Sequence, residues 1–330
     1  MVQPERGTPR PVHVVRMVPD GYAPDPAMTD EAVRAAVEGA SAYWSRQTRG
    51  AVSFAVADVS DWVTSELGCT DIEGLWNEAL ALEPDAAERS AHLVVVAPGA
   101  AGTEDSGCDY GYGSLGIADS GGSTYVTALH PALLAHELGH NLGLGHAMSL
   151  SCTDAQDAVY DDGWPATCDA RDYDDLFDVM GYSGEGFGGG NLNAVGVDLL
   201  GVDPGGFRDV AASTSGVQIL PISRIGEGVR MLRIRVPGEP VYYVEYRTAS
   251  GEDAAVMRSP WRPSPGVRVL RADPVAGDLG GSLELDMSPG GWQYDRSLGA
   301  GRTFTSAGGG LRVTVRSADL SGAVLDVEIG

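Results

Sequence analysis

The chain has 330 residues, 43% apolar and 21% charged, enough for about two ordinary domains with real cores. Its formal charge is −24, from 46 acids against 22 bases that are all Arg, which argues against nucleic acid or anionic membrane as a partner. No apolar run approaches the roughly 18 residues that a membrane-spanning helix needs, so membrane insertion is not expected.

In chain order, Pro11–Val18 reads as a strand and Thr29–Gln47 as an amphipathic helix, with Thr29 as N-cap and acids in the first turn. Val52–Val59 is a second strand, Asp71–Leu82 a second helix, and His92–Ala97 an apolar strand of the kind buried on both faces. A Gly-rich segment, 99–122, holds a weak strand near Leu115–Ala118 and precedes the strand Ser123–Leu129. A helix begins at Pro131 and ends near Gly143. Ala147–Asp178 has little apolar periodicity and nine Asp residues, and reads as a long ordered loop. Asn191–Val202 returns to a helical pattern.

After Asp203 the period changes to two, and six or seven short strands separated by Gly, Pro and Asp turns suggest a β-sandwich or small barrel. Charge changes at the same point. Residues 1–203 carry 32 acids and 8 Arg, whereas residues 204–330 carry 14 of each. The expected division is therefore an α/β domain over 1–205 and an all-β sandwich domain over 206–330.

The sharpest signal is His136-Glu137-Leu138-Gly139-His140-Asn141-Leu142-Gly143-Leu144-Gly145-His146, which holds three of the six histidines. Residues four apart lie one turn apart on one helix face, so His136 and His140 can clasp one ion. His146 joins them only if the chain turns, and Gly143 and Gly145 permit the positive φ of such a turn. Three imidazoles leave a tetrahedral zinc one open position, and Glu137 beside them can move protons.

These residues match the pattern HExxHxxGxxH, and the chain resembles the metzincin metallopeptidases. The resemblance implies an α/β (α+β) catalytic domain with a mixed sheet and an active-site helix. It also implies Zn2+ on His136, His140 and His146, Glu137 as general base, and a methionine turn at Asp178-Val179-Met180-Gly181-Tyr182. Met180 would form an apolar floor under the ligands, and Tyr182 would donate a hydrogen bond to developing negative charge. Over about 50 residues the sequence is similar to the gametolysin-like secreted bacterial peptidases. That likeness implies a secreted enzyme acting on a protein or peptide, and a monomer is expected. Two other functions fit the same motif: a zinc amidase acting on small peptide or cell-wall fragments, and a non-catalytic binding module with a residual zinc site.

Cys69, Cys108, Cys152 and Cys168 form no CxxC pair and read as two disulfides in an exported chain or as four buried thiols. Three pairings are open; the local one joins Cys152 to Cys168, closing a loop of about 15 residues worth ~3 kcal/mol, and leaves Cys69 for Cys108. The start of the sequence has no apolar leader, which suits a cytosolic protein or a mature secreted one. The Asp-rich segment suggests Ca2+ through its carboxylates, with a solvated acidic loop as the plainer reading. The stretch Gly113–Ala118 is expected to offer an edge strand to extended substrate.

Overall fold

The computed structural model describes residues 7–99, 108, 110–182, 189–275, 280–292 and 294–330. Two compact units divide between Leu144 and Gly145.

The N-terminal unit alternates strands and helices: β1 (Arg10–Val18), α1 (Asp30–Gln47), β2 (Phe54–Thr64), α2 (Ile72–Leu82), β3 (His92–Val96), β4 (Gly111–Gly113), β5 (Gly122–Val126) and α3 (Pro131–Asn141). They build a mixed five-stranded sheet of order β2-β1-β3-β5-β4. The pairings among β2, β1, β3 and β5 are parallel, and β4 runs antiparallel on the edge. Every residue of β3 is buried, as its unbroken apolar run requires of a central parallel strand. Helix α2 covers one sheet face, where Leu75 and Ala79 pack with Val15, Leu93 and Val95. The alternate residues Val94 and Val96 meet Val33 and Val37 of α1 and Leu134 of α3 on the other face.

Local chemistry sets the helix ends. Thr29 Oγ1 accepts from the Ala32 amide at 3.2 Å and Asp71 Oδ1 from the Gly74 amide at 3.1 Å, each relieving an unpaired first-turn N–H. Helices α1 and α3 approach closely at Gly39, where a Cβ would lie 2.7 Å from Cβ of Pro131. The Trp44 indole then donates to the carbonyl of Ala135 at 2.9 Å and ties α1 to α3. The disulfide Cys69–Cys108 lies in this unit.

The C-terminal unit comprises β6 (Ala147–Cys152), β7 (Cys168–Arg171), α4 (Ala194–Leu199), β8 (Phe207–Val210), β9 (Thr214–Ile219), β10 (Met231–Arg235), β11 (Val241–Arg247), β12 (Gly266–Ala272), β13 (Ser282–Glu284), β14 (Thr303–Thr305), β15 (Leu311–Asp319) and β16 (Gly322–Ile329). One sheet has the order β7-β6-β13-β12-β11-β10-β8 and the other β14-β15-β16-β9. Leu232, Val244, Val269 and Leu283 of the first share a core with Val217, Phe304, Val313 and Leu325 of the second.

Two expectations change here. The segment 147–178 is not loop throughout: β6 and β7 pair antiparallel, with Cys152 opposite Cys168 and bonded to it. Strand β6 then pairs in parallel with β13, Ala147 facing Ser282, so this segment belongs to the same sheet as the strands beyond residue 206. The compact units consequently divide before β6, earlier than the change of period after Asp203 suggests. Pairing with a strand so distant in sequence leaves no local periodicity to read.

The edge strand also lies earlier than expected, at Gly111–Gly113, while Leu115 and Ile117 are exposed outside the sheet. Close approach of α3 explains this: a Cβ on Gly111 would overlap Glu137 Oε1, and one on Gly113 would overlap the Glu137 carbonyl. Only glycine lets this backbone lie so close to the helix.

Candidate metal centre

Helix α3 is capped at its C-terminus by a left-handed glycine. Gly143 has φ +93°, its amide donates to the His140 carbonyl at 2.9 Å, and the Leu144 amide donates to the Gly139 carbonyl at 3.0 Å. This pair of bonds closes the helix and turns the chain after Leu142.

His136, Glu137 and His140 are buried on α3, with the two imidazole centroids 4.8 Å apart and nearly perpendicular. His136, His140 and His146 each offer a ring nitrogen, and these atoms all lie within 4.8 Å of one another. The backing bonds orient two of the rings. His140 Nδ1 lies 2.8 Å from the Leu144 carbonyl, which accepts only, so Nδ1 carries the proton and Nε2 carries the lone pair a metal would take. His146 Nδ1 lies 2.9 Å from Asp172 Oδ1. Histidines that ligate a metal commonly donate their other nitrogen to a carbonyl or carboxylate, and three neutral imidazoles suit zinc. The residues present therefore fit such an ion.

Glu137 follows His136 directly and is buried, and desolvation pushes its carboxyl up to about 8. The edge strand runs past it at Gly111.

His146 sits among residues of its own unit. Its carbonyl accepts from the Ser282 amide at 3.1 Å, and the neighbouring Ala147 amide donates to the Met180 carbonyl at 2.9 Å. Its ring lies over Tyr173, with centroids 3.9 Å apart. Tyr173 has φ +59°, and its carbonyl accepts from the Tyr182 amide at 2.8 Å. The Tyr182 side chain is half exposed. Met180 is buried in a turn whose caps come from Asp178, which accepts from the Met180 amide at 2.7 Å and from the Asn193 amide at 2.5 Å.

The acidic segment acts as a set of acceptors. Asp174 pairs with Arg296 and Asp175 with Arg268, both at 2.7–2.8 Å, and Asp157 accepts from the Tyr242 hydroxyl at 2.7 Å. Among the described residues, no group of three donors at metal-ligand spacing draws on the nine acids for which Ca2+ and a solvated loop are the two readings. Asp175 is one of several charges sunk in the C-terminal unit. Arg268 spans Asp175, Glu284 and Glu245, and Arg247 spans Glu245 and Asp253, all essentially removed from water.

Sequence reasoning missed four residues here. Asp172 and Tyr173 support His146. Asn141 donates to the carbonyls of Ser114 and Ser123 at 2.9 and 3.1 Å, and accepts from His92 at 3.1 Å. This ties the end of α3 to the β4–β5 region, and burial pulls the His92 pKa down to about 4. A polar Asn directly after a ligand on a buried helix was the available signal.

No family model matches the chain, and no curated protein matches it either. Similar solved structures include metalloproteinase-II from Bacteroides fragilis, at 16% identity over 60% of this chain and 54% of that one, with TM-score 0.35. Wild-type OgpA from Akkermansia muciniphila is 14% identical over 73% of this chain and 72% of that one, with TM-score 0.33. Catalytically inactive OgpA in complex with the O-glycopeptide substrate glycodrosocin gives 14%, 74%, 75% and 0.33 in the same order. This chain thus spans about half the length of the Bacteroides protein. The functional reading rests on the side chains themselves.

Proposed function

We propose that the chain is a secreted, zinc-dependent metalloendopeptidase of metzincin type. The observation that carries this reading is the meeting of three imidazole donors within 4.8 Å, beside a buried carboxylate on the same helix. Two disulfides in the structure support an oxidising, extracellular setting.

His136, His140 and His146 would hold the zinc, which when bound would supply Lewis acidity to a water and to the peptide carbonyl. Glu137 does the proton work. Its carboxylate takes the proton from the water that attacks the peptide carbonyl and delivers it to the departing amine nitrogen. Burial by itself favours the protonated acid, and the positive charge of a bound ion beside Glu137 would favour its carboxylate form. The Leu144 carbonyl and Asp172 hold the His140 and His146 rings in their tautomers. Met180 forms the apolar floor, and the Tyr182 phenol donates to the developing charge. The strands beyond residue 206 complete, with β6 and β7, a two-sheet unit that packs on one core.

Hydrolysis of unfolded casein tests this. Cleavage is expected from the zinc-loaded protein and is lost with a chelator. Glu137→Ala lowers it by at least the 10²–10⁴-fold that a general base supplies. Zinc binding without any cleavage would overturn the peptidase reading in favour of a binding module.

A further inference from the structure

In the N-terminal unit a second set of donors converges, on residues outside the α3 motif. His13 of β1, Asp58 of β2 and Glu83 at the end of α2 each offer a ligand atom, and these atoms all lie within 4.8 Å of one another.

Several features separate this group from an ordinary run of surface acids. His13 is buried, and its Nδ1 lies 2.7 Å from Asp58 Oδ2. The two residues face each other across the parallel β1–β2 pairing, where the register shifts between Val12 and His13 and brings His13 opposite Asp58. Asp58 keeps its other oxygen, Oδ1, out of water and without a hydrogen-bond partner among the described residues. A carboxylate oxygen removed from water and left without a donor is costly, and a cation relieves that cost. Asp58 and Glu83 also bring like charges together, and neither pairs with an Arg among the described residues. The Coulomb repulsion between them becomes attraction once a divalent ion lies between.

The geometry points to a second cation site at His13, Asp58 and Glu83, taking a divalent transition ion of the zinc type. One imidazole with two carboxylates is a borderline donor set that selects such ions over calcium, which prefers six or more oxygens. Strand β2 is an edge of the five-stranded sheet. A bound ion would clip that edge, and the end of α2, to β1. This role is structural and is independent of the α3 centre.

Titration of the chelator-stripped full chain with Zn2+ tests the site, with His136→Gln and His140→Gln combined to disable the other centre. The expected result is that this double variant still takes up one zinc per chain, with a rise in its thermal midpoint. Adding Glu83→Gln, at a partly exposed position where folding is not at stake, weakens uptake by more than the roughly 10–100-fold cost of losing a partner that only supports a ligand. Asp58→Asn, which keeps a hydrogen-bonding group beside His13, does the same. Absence of zinc uptake by the double variant, or uptake unchanged by both carboxylate substitutions, overturns the proposal without touching the peptidase reading. Loss of casein cleavage in the double variant with its zinc uptake retained separates the two sites directly.

Discussion

His146 Nδ1 lies 2.9 Å from Asp172 Oδ1, a bond that joins a candidate metal ligand to a carboxylate 26 residues further along the chain. The carboxylate fixes the ring orientation and makes Nε2 a better donor. Asp172→Ala is therefore expected to weaken zinc binding by about 10–100-fold, measured by competition with a chromophoric chelator. Affinity equal to that of the unsubstituted chain would show that the bond does nothing for the metal.

Gly111 separates the proton-moving role of Glu137 from metal binding. A Cβ at this position would overlap Glu137 Oε1, so Gly111→Ala must displace the carboxylate. Zinc content should stay unchanged while kcat falls by roughly the 10²-fold that misplacing a catalytic group costs. Full kcat in that variant would place the working carboxylate elsewhere.

His92 gives the protein an acid sensitivity of defined sign. Burial lowers its pKa from 6.5 to about 4, so the unfolded chain binds the proton more readily. The resulting stability is fully present above pH 6.5 and is lost as the pH falls through 4, up to about 3 kcal/mol at 1.36 kcal/mol per pKa unit. His92→Gln removes this dependence. Urea unfolding at pH 7.5 and pH 4.5 should show a smaller pH difference for the variant than for the unsubstituted chain; equal differences would rule His92 out as the source.

Arg268 neutralises Asp175, Glu284 and Glu245 where none can reach water, and burial already pushes Glu284 up to about 7. Arg268→Met leaves Asp175 uncompensated, takes one of two Arg partners from Glu245 and from Glu284, and should cost about 3–5 kcal/mol in denaturant unfolding. Lysine has one ammonium in place of a planar fork, so Arg268→Lys should not restore the loss. A near-neutral Arg268→Met would mean that the carboxylates are protonated in the folded protein.

What could be read from the sequence was what is local. The His136–His140 spacing, the turn at Gly143 and the bridge between Cys152 and Cys168 all depend on neighbours a few residues to a loop away, and each pattern carries its own geometry. Strand β6 was not legible, because its partner β13 is remote and its composition of Ala, Met, Ser, Leu and Cys alternates weakly. Strand β4 was missed because two of its three residues are glycine, chosen for closeness to α3 and not for strand preference. Asp172 was hidden for another reason. In a segment with nine Asp residues, nothing but the folded chain marks the one that reaches His146.

The most direct test of the central claim is zinc-edge anomalous scattering from crystals of the zinc-loaded chain. The account predicts a peak about 2.0–2.1 Å from one nitrogen each of His136, His140 and His146, with the Glu137 carboxylate facing it and not bonded to it. No zinc peak among the three rings, or a peak there closed off by a fourth protein ligand, would contradict it.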